Sequence, residues 1–335
     1  LGRTLTVVSR TVTYGWSSFT NDEPGELVNL THWQGRLMLR RPRSEWADAT
    51  VMLGGGGARG LAHLGAVRAV GHSGMGIGRL VGVSMGALMA ALIAAERDVE
   101  RAESLAREFL VSDRYRTLQK TVLDAAIGTH GKDETNDRWL RRWRSVFWIQ
   151  KAVSRAARSE SLLPGTLLQA ITEELLPDIN IEDLRTPLHL VAVDLRNGER
   201  VSIDRGPLRE AVQASMSIPG VFPSVEIDGR QLSDIGVYDA VPCDMAIEMM
   251  EGQGELIVVD VSPTESSNAA CKTAIQSILR FQELAEARIR QHQLRLADIV
   301  VRPQVGSVAW FDFTNPDPLI QAGYDAASTA LLRKT

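Results

Sequence analysis

The chain has 335 residues, enough for one large domain or two smaller ones with a sizeable core. Its composition, 44% hydrophobic and 23% charged, is that of a globular protein, and a net charge of −4 excludes a global basic field that would draw nucleic acid. The two cysteines, Cys243 and Cys271, exclude a disulfide framework and a cysteine-based metal site.

Residues 1 to 49 read as a leader or as the tail of an upstream domain. LTVVSRTVTY suits a strand, and Asn21, Asp22, Pro24 and Gly25 form a turn cluster. The chain begins at Leu1 without an initiator Met, as a fragment or processed form does. No signal peptide is visible, and no apolar run approaches the roughly 20 residues of a membrane span. Cytoplasmic or peripheral membrane location is the expectation.

From Val51 onward strand and helix patterns alternate. Val51–Leu53 reads as a buried strand, Gly60–Val70 as a helix, Leu80–Val83 as a strand and Met85–Ala95 as a helix. Residues 99 to about 176 read as a helical insertion or cap. Within it Trp139, Trp143, Phe147 and Trp148 interleave with Arg138, Arg141, Arg142, Arg144, Lys151, Arg155 and Arg158. That stretch suits a membrane-interface helix, or a cap helix with tryptophan inward and arginine solvated. Strands follow at Leu188–Asp194 and Arg200–Ile203, then a helix at Pro207–Ala214. A hairpin joins Val225–Ile227 to Arg230–Leu232 through Asp228-Gly229. Leu256–Val261, a long helix near Ala269–Leu296, Asp298–Val301 and Leu319–Leu332 complete an α/β pattern with a largely parallel sheet.

The stretch VMLGGGGARGLAHLGAVRAV breaks an apolar run into four glycines and then resumes helical spacing. Gly55 to Gly60 fits G-x-G-x-x-G between strand and helix, but no acid closes the second strand to hold a ribose, and no Gly-Lys-Ser/Thr follows to make a phosphate loop. A third reading accounts for both strand ends. Gly82-Val83-Ser84-Met85-Gly86 is G-x-S-x-G between strand and helix, the setting of a nucleophile elbow. Glycines without Cβ atoms then let backbone N–H groups converge on the oxyanion of a reacting ester.

A serine nucleophile needs a base. His63 lies one turn into the helix after the glycines, whereas His189 lies inside an apolar strand. The alternative is a carboxylate: SDIGVYDAVPCDMA places Asp234 directly after the hairpin, with Asp239 and Asp244 beyond it.

GGGGARG, GVSMG, DIG and the segment ASMSIPGVFPSV together resemble the patatin-like phospholipase family, in order and spacing from about Val51 to Pro263. The leader resembles, more weakly, the segment before the catalytic domain in the neuropathy target esterase-like branch. The resemblance implies a three-layer α/β/α fold with a mainly parallel central sheet, and a catalytic domain over residues 50–335. It implies a Ser–Asp dyad of Ser84 and Asp234. Gly55, Gly56, Gly57 and Arg59 would form the oxyanion loop, with Gly82 and Gly86 flanking the elbow. It implies a lipid acyl hydrolase acting on phospholipid or lysophospholipid, with no metal or organic cofactor and no nucleic acid. Peripheral membrane contact would run through Trp139, Trp143 and Trp148. Acyl transfer from the same acyl-enzyme and a catalytically weak lipid-binding module are the alternatives. The sequence departs from the family at Ile235, where the family has glycine, and at Ala240, where it often has asparagine. If residue 235 must take positive φ, a β-branched side chain would displace Asp234.

Overall fold

A computed structural model describes residues 48–96, 98–119, 161–262, 271–306 and 308–333. All lie in the Arg43–Thr335 part of a chain that divides after Pro42. The first strand, β1 (Ala49–Leu53, ATVML), is buried at every residue. A strand in a parallel sheet is covered on both faces, so it reads as a continuous apolar run and not as an alternation. β2 (Ile77–Val83) lies parallel to β1 with Val51 opposite Leu80 and Leu53 opposite Gly82. β3 (Leu188–Asp194) continues parallel on the far side of β2. β7 (Leu256–Val259) and β8 (Ile299–Val301) extend the parallel run on the other side of β1.

Among the described residues eight strands form one sheet in the order β5-β6-β3-β2-β1-β7-β8, with β4 (Arg200–Ile203) also paired to β3. The β3 edge is antiparallel. β4 pairs β3 in that sense, and the hairpin of β5 (Val225–Ile227) and β6 (Arg230–Ser233) closes the sheet. Its turn residues, Asp228 at φ 51° and Gly229 at φ 72°, have the left-handed geometry that a two-residue hairpin requires.

Side-chain alternation along the strands makes two cores. Val51, Leu53, Leu80, Leu190, Ile257 and Val259 face one layer of helices. That layer holds α1 (Ala62–His72), α2 (Met85–Ala95), α3 (Val99–Val111), α4 (Thr166–Leu175), α5 (Leu208–Met216) and α8 (Pro316–Leu332). Met52, Val81, Val83, Val191 and Val258 face the other side. They pack there on Val241, on Cys243 and Ala246 of α6 (Cys243–Met249), and on Leu294, just past α7 (Ala274–Gln293). Each fully buried aliphatic side chain contributes about 1.5–3 kcal/mol, which holds both layers to the sheet.

The elements expected within the described residues are present with shifted ends, while the strand expected in LTVVSRTVTY and residues 120–160 of the expected insertion lie outside the described residues. Regular α-helix after the glycines starts at Ala62 because a 3-10 turn, Gly57–Leu61, comes first. β7 stops at Val259 because the Asp260 side chain accepts the Ser262 N–H and turns the chain. α8 starts at Pro316, since proline fits a first helical turn where its missing N–H is not needed. The chain runs from β1 to β2 and β3 on one side, then to β7 and β8 on the other. The order therefore reverses next to β1, and the carboxyl ends of β1, β2 and β7 frame the crevice where open α/β sheets place their sites.

Candidate active site

The four glycines leave β1 into that crevice. Gly54 N–H donates to the Val259 carbonyl at 3.1 Å and Gly55 N–H to the Ala240 carbonyl at 3.0 Å. Gly57 has φ 58°, and a Cβ there would overlap the Trp310 carbonyl oxygen. That same oxygen accepts the Ala58 N–H at 2.6 Å, so position 57 tolerates only glycine. Gly56 N–H and Gly57 N–H have no acceptor among the described residues. Arg59 Nε donates to the Gly56 carbonyl at 3.0 Å and braces the loop.

Ser84 ends β2 and begins α2 with φ 56° and ψ −123°, a conformation that costs a non-glycine residue about 1–3 kcal/mol. The turn closes because its neighbours lack side chains. A Cβ on Gly86 would overlap the Leu53 carbonyl, and one on Gly82 would sit 2.5 Å from Ala87 Cα. The strained residue is pinned from outside: Ser84 N–H donates to Ser215 Oγ at 3.1 Å, and Ser215 Oγ–H donates to the Val191 carbonyl at 2.7 Å. The Ser84 hydroxyl stands at the N-terminus of α2, where unpaired N–H groups favour negative charge.

Asp234 follows β6 and is 2% exposed. Its N–H donates to the Ser217 carbonyl at 2.9 Å, and its Oδ1 accepts the Gly236 N–H at 2.7 Å. The Ser84 side chain stands beside it: a Cβ on Gly236 would lie 3.0 Å from Asp234 Oδ1 and 3.6 Å from Ser84 Cβ. Burial pushes the carboxyl up to about 6, while the neighbouring Ser84 hydroxyl and the Gly236 N–H pull the other way. A Cβ on Gly55 would lie 3.5 Å from both Ser84 Cβ and Gly236 Cα, so the three segments meet at one place.

Ile235 does not take positive φ. It opens a 3-10 turn, Ile235–Val237, and its side chain is fully buried in the core with Met52 and Val83. Asp234 is therefore not displaced, and the close approach that needs glycine falls at Gly236 instead. Ala240 contributes its carbonyl to Gly55, a bond indifferent to the side chain it carries.

His63 is fully buried beneath the loop and donates from Nε2 to the Gly54 carbonyl at 2.8 Å. Burial pulls its pKa down to about 4, so the ring is neutral above that pH. It supports the glycine loop from below. His189 bonds Ser202, and His72 lies among Glu100 and Tyr324. Trp139, Trp143 and Trp148 lie outside the described residues, as do the adjoining arginines. Among the described residues no three His, Cys, Asp or Glu side chains gather to hold a metal ion. No helix among them is long and apolar enough to cross a membrane.

Sequence reasoning missed Ser215 and Ser217 as individual residues. Ser217 takes the Asp234 N–H on its carbonyl while Ser215 holds the Ser84 N–H, so two positions of one segment fix the backbone at both residues. The signal was present: Ser215 falls on the inward stripe of α5 with Leu208, Ala211 and Val212, where a hydroxyl must find partners.

The family described as patatin-like phospholipase matches residues 51–247, more than half of the chain. An uncharacterized NTE family protein of Mycobacterium tuberculosis is 33% identical over 204 residues, covering 61% of this chain and 47% of the relative. The mouse patatin-like phospholipase domain-containing protein 7 is 28% identical over 307 residues, covering 83% of this chain and 20% of the relative. The chain thus spans about half, or less, of the length of these curated relatives. Among solved structures, VipD from Legionella pneumophila aligns with a TM-score of 0.45 at 16% identity, covering 86% of this chain and 67% of that one.

Proposed function

The chain belongs to the patatin-like phospholipase family, and from that premise we propose that it is a serine lipid acyl hydrolase with a Ser84–Asp234 dyad. The observation that carries the reading is the close approach of Ser84, the buried Asp234 and the Gly55 end of the glycine loop at the carboxyl end of the parallel sheet, with the Gly56 and Gly57 N–H groups unpaired among the described residues.

In the first half-reaction Asp234 takes the Ser84 proton as Ser84 Oγ attacks the ester carbonyl carbon. The carbonyl oxygen becomes an oxyanion held by the Gly56 and Gly57 N–H groups, with Gly55 and Arg59 shaping the loop that presents them. Collapse breaks the bond to the alcohol oxygen, which leaves with the proton from Asp234 and yields an acyl-Ser84 ester. In the second half-reaction Asp234 deprotonates water, which attacks the acyl carbon. Ser84 leaves as the free hydroxyl, regaining its proton, and a fatty acid is released. The protein supplies a nucleophile, a base and fixed dipoles, and the sequence of bonds balances without a cofactor.

The substrate class assigned to this site is phospholipid or lysophospholipid, with residues 50–335 as the catalytic domain and residues 1–49 as a leader or the tail of an upstream domain. Approach to lipid is assigned to Trp139, Trp143 and Trp148. The test is a serine-directed fluorophosphonate probe together with a short-chain nitrophenyl ester. The probe is expected to label Ser84, and Ser84→Ala is expected to lose labelling and to lower turnover on the order of 10³-fold or more without loss of fold. Full turnover in Ser84→Ala refutes the dyad.

A further inference from the structure

Between Asp234 and α6 the chain carries a charged tie that the dyad mechanism does not use. Tyr238 N–H and Asp239 N–H both donate to the Ile235 carbonyl at 2.8 Å, so the residue after Asp234 is anchored by the backbone of Asp239. The residue after Asp239 is Ala240, whose carbonyl holds Gly55 N–H at 3.0 Å. One short stretch thus touches the base on one side and the glycine loop on the other.

That stretch is gripped from outside. Arg200, on β4, places Nη1 3.2 Å from Asp239 Oδ2 and 2.8 Å from Asp244 Oδ1, and Nη2 2.7 Å from Asp244 Oδ2. Gln293, at the end of α7, donates from Nε2 to Asp244 Oδ1 at 2.9 Å and to Asp239 Oδ2 at 3.4 Å. Its Oε1 accepts the Asp244 N–H at 3.0 Å. The Asp239 side chain is 1% exposed, and its Oδ1 has no partner among the described residues. Burial pushes the Asp239 carboxyl up to about 6, and Arg200 opposes that shift. A buried carboxylate that loses its cation either takes up a proton or moves.

We infer that Arg200 is a positioning residue: by bridging Asp239 and Asp244 it holds the Asp234 base and the Gly55 end of the glycine loop in register with Ser84. The inference rests on the dyad reading above. The planar guanidinium suits the task because it reaches two carboxylates in one fixed fork, which a lysine ammonium, a single point charge, does not. Displacing reacting groups by about 1 Å costs on the order of 100-fold in rate, so a small relaxation of this loop is visible in catalysis.

The experiment uses the full chain with Arg200→Met, Arg200→Lys and Asp239→Asn. Thermal melting selects a temperature at which each variant is folded. kcat and KM are then read on a nitrophenyl butyrate, and the rate of fluorophosphonate labelling is read alongside. Arg200→Met is expected to lower kcat about 10- to 100-fold with KM changed less than about threefold, and to slow labelling by the same factor. Arg200→Lys is expected to fall between Arg200→Met and the parent. A merely structural arginine would shift melting and leave kcat of the folded protein alone, so a folded Arg200→Met with kcat within about twofold of the parent overturns the inference. If Arg200→Met does not fold, Asp239→Asn decides, with a kcat-specific loss of about fivefold or more expected and an unchanged kcat overturning the inference. Turnover that survives Ser84→Ala refutes the dyad itself. Ser84-dependent turnover with an indifferent Arg200 refutes the tie alone.

Discussion

The Asp234→Asn variant is expected to be inactive and yet more stable than the parent above pH 6. The Asp234 carboxyl is pushed up to about 6 from an ordinary 3.8, with burial as the largest cause. Between those two values the folded protein binds more protons than the unfolded chain, so the Asp234 contribution to stability falls as pH rises through that window. A shift of about two units corresponds to about 3 kcal/mol of penalty once the group is ionised in both states. Asparagine carries no charge and avoids that penalty. Its Oδ1 can still accept the Gly236 N–H, now bonded at 2.7 Å, and its NH2 can face the neighbouring Ser84 hydroxyl, which is able to accept. The gain is therefore expected to approach about 3 kcal/mol at pH 7.5, to shrink through pH 6 to 4, and to vanish below the unfolded value. Denaturant midpoints of the two proteins at pH 7.5, 5 and 4 measure it. The difference between them cancels other titrating groups, including Asp239, which burial also pushes up to about 6. A variant equally or less stable at pH 7.5, or a difference that ignores pH, refutes the claim that the active carboxylate is held at a cost in stability.

The same shift sets an acid limb on activity. kcat/KM is expected to fall below pH about 6, approaching tenfold per unit as Asp234 protonates. His63, pulled down to about 4, contributes nothing in that range, so a His63→Gln protein that still folds keeps the limb, and losing it would reassign the base. Gly57→Ala forces a Cβ onto the Trp310 carbonyl at a positive φ, and a loss in kcat/KM on the order of 100-fold is expected, read with the nitrophenyl ester. Ser215→Ala strands the Ser84 N–H and the Val191 carbonyl in the interior. Its expected cost is about 1–3 kcal/mol in denaturation, with a fall in kcat that KM does not follow.

The stretches of the proposed site were legible in the sequence wherever a residue type is tied to a backbone constraint. Gly82, Ser84 and Gly86 announce a turn that closes only with small neighbours, and the turn is there at φ 56°. The apolar runs around Val51, Leu80 and Leu256 announce buried parallel strands, because both faces of such strands are covered. What could not be read is which glycine amides stay unpaired. That depends on the Ala240 and Val259 carbonyls, contributed by chain far away in sequence. Arg200 and Gln293 were equally silent. Each looks like ordinary solvated surface until β4 and α7 bring them together around Asp244.

Ile235 and Ala240 show why departures from a family pattern must be weighed by atom and not by letter. At 235 the requirement would have been a left-handed backbone, and the backbone there is not left-handed, so a bulky side chain is free to point into the core with Met52, Val81 and Val83. At 240 the contribution to the site is a carbonyl oxygen, which every residue has. The glycine that matters sits one place on: a Cβ at Gly236 would lie 3.0 Å from Asp234 Oδ1, tighter than ordinary contact, and would press on the carboxylate beside Ser84. The loop has therefore kept one close approach, and filled the neighbouring position with apolar surface that anchors Asp234 to the sheet. A substitution that places a side chain at 236 should be more damaging than any exchange at 235 among aliphatic residues. The first acts on the base itself, and the second acts on packing that Leu or Val can largely restore.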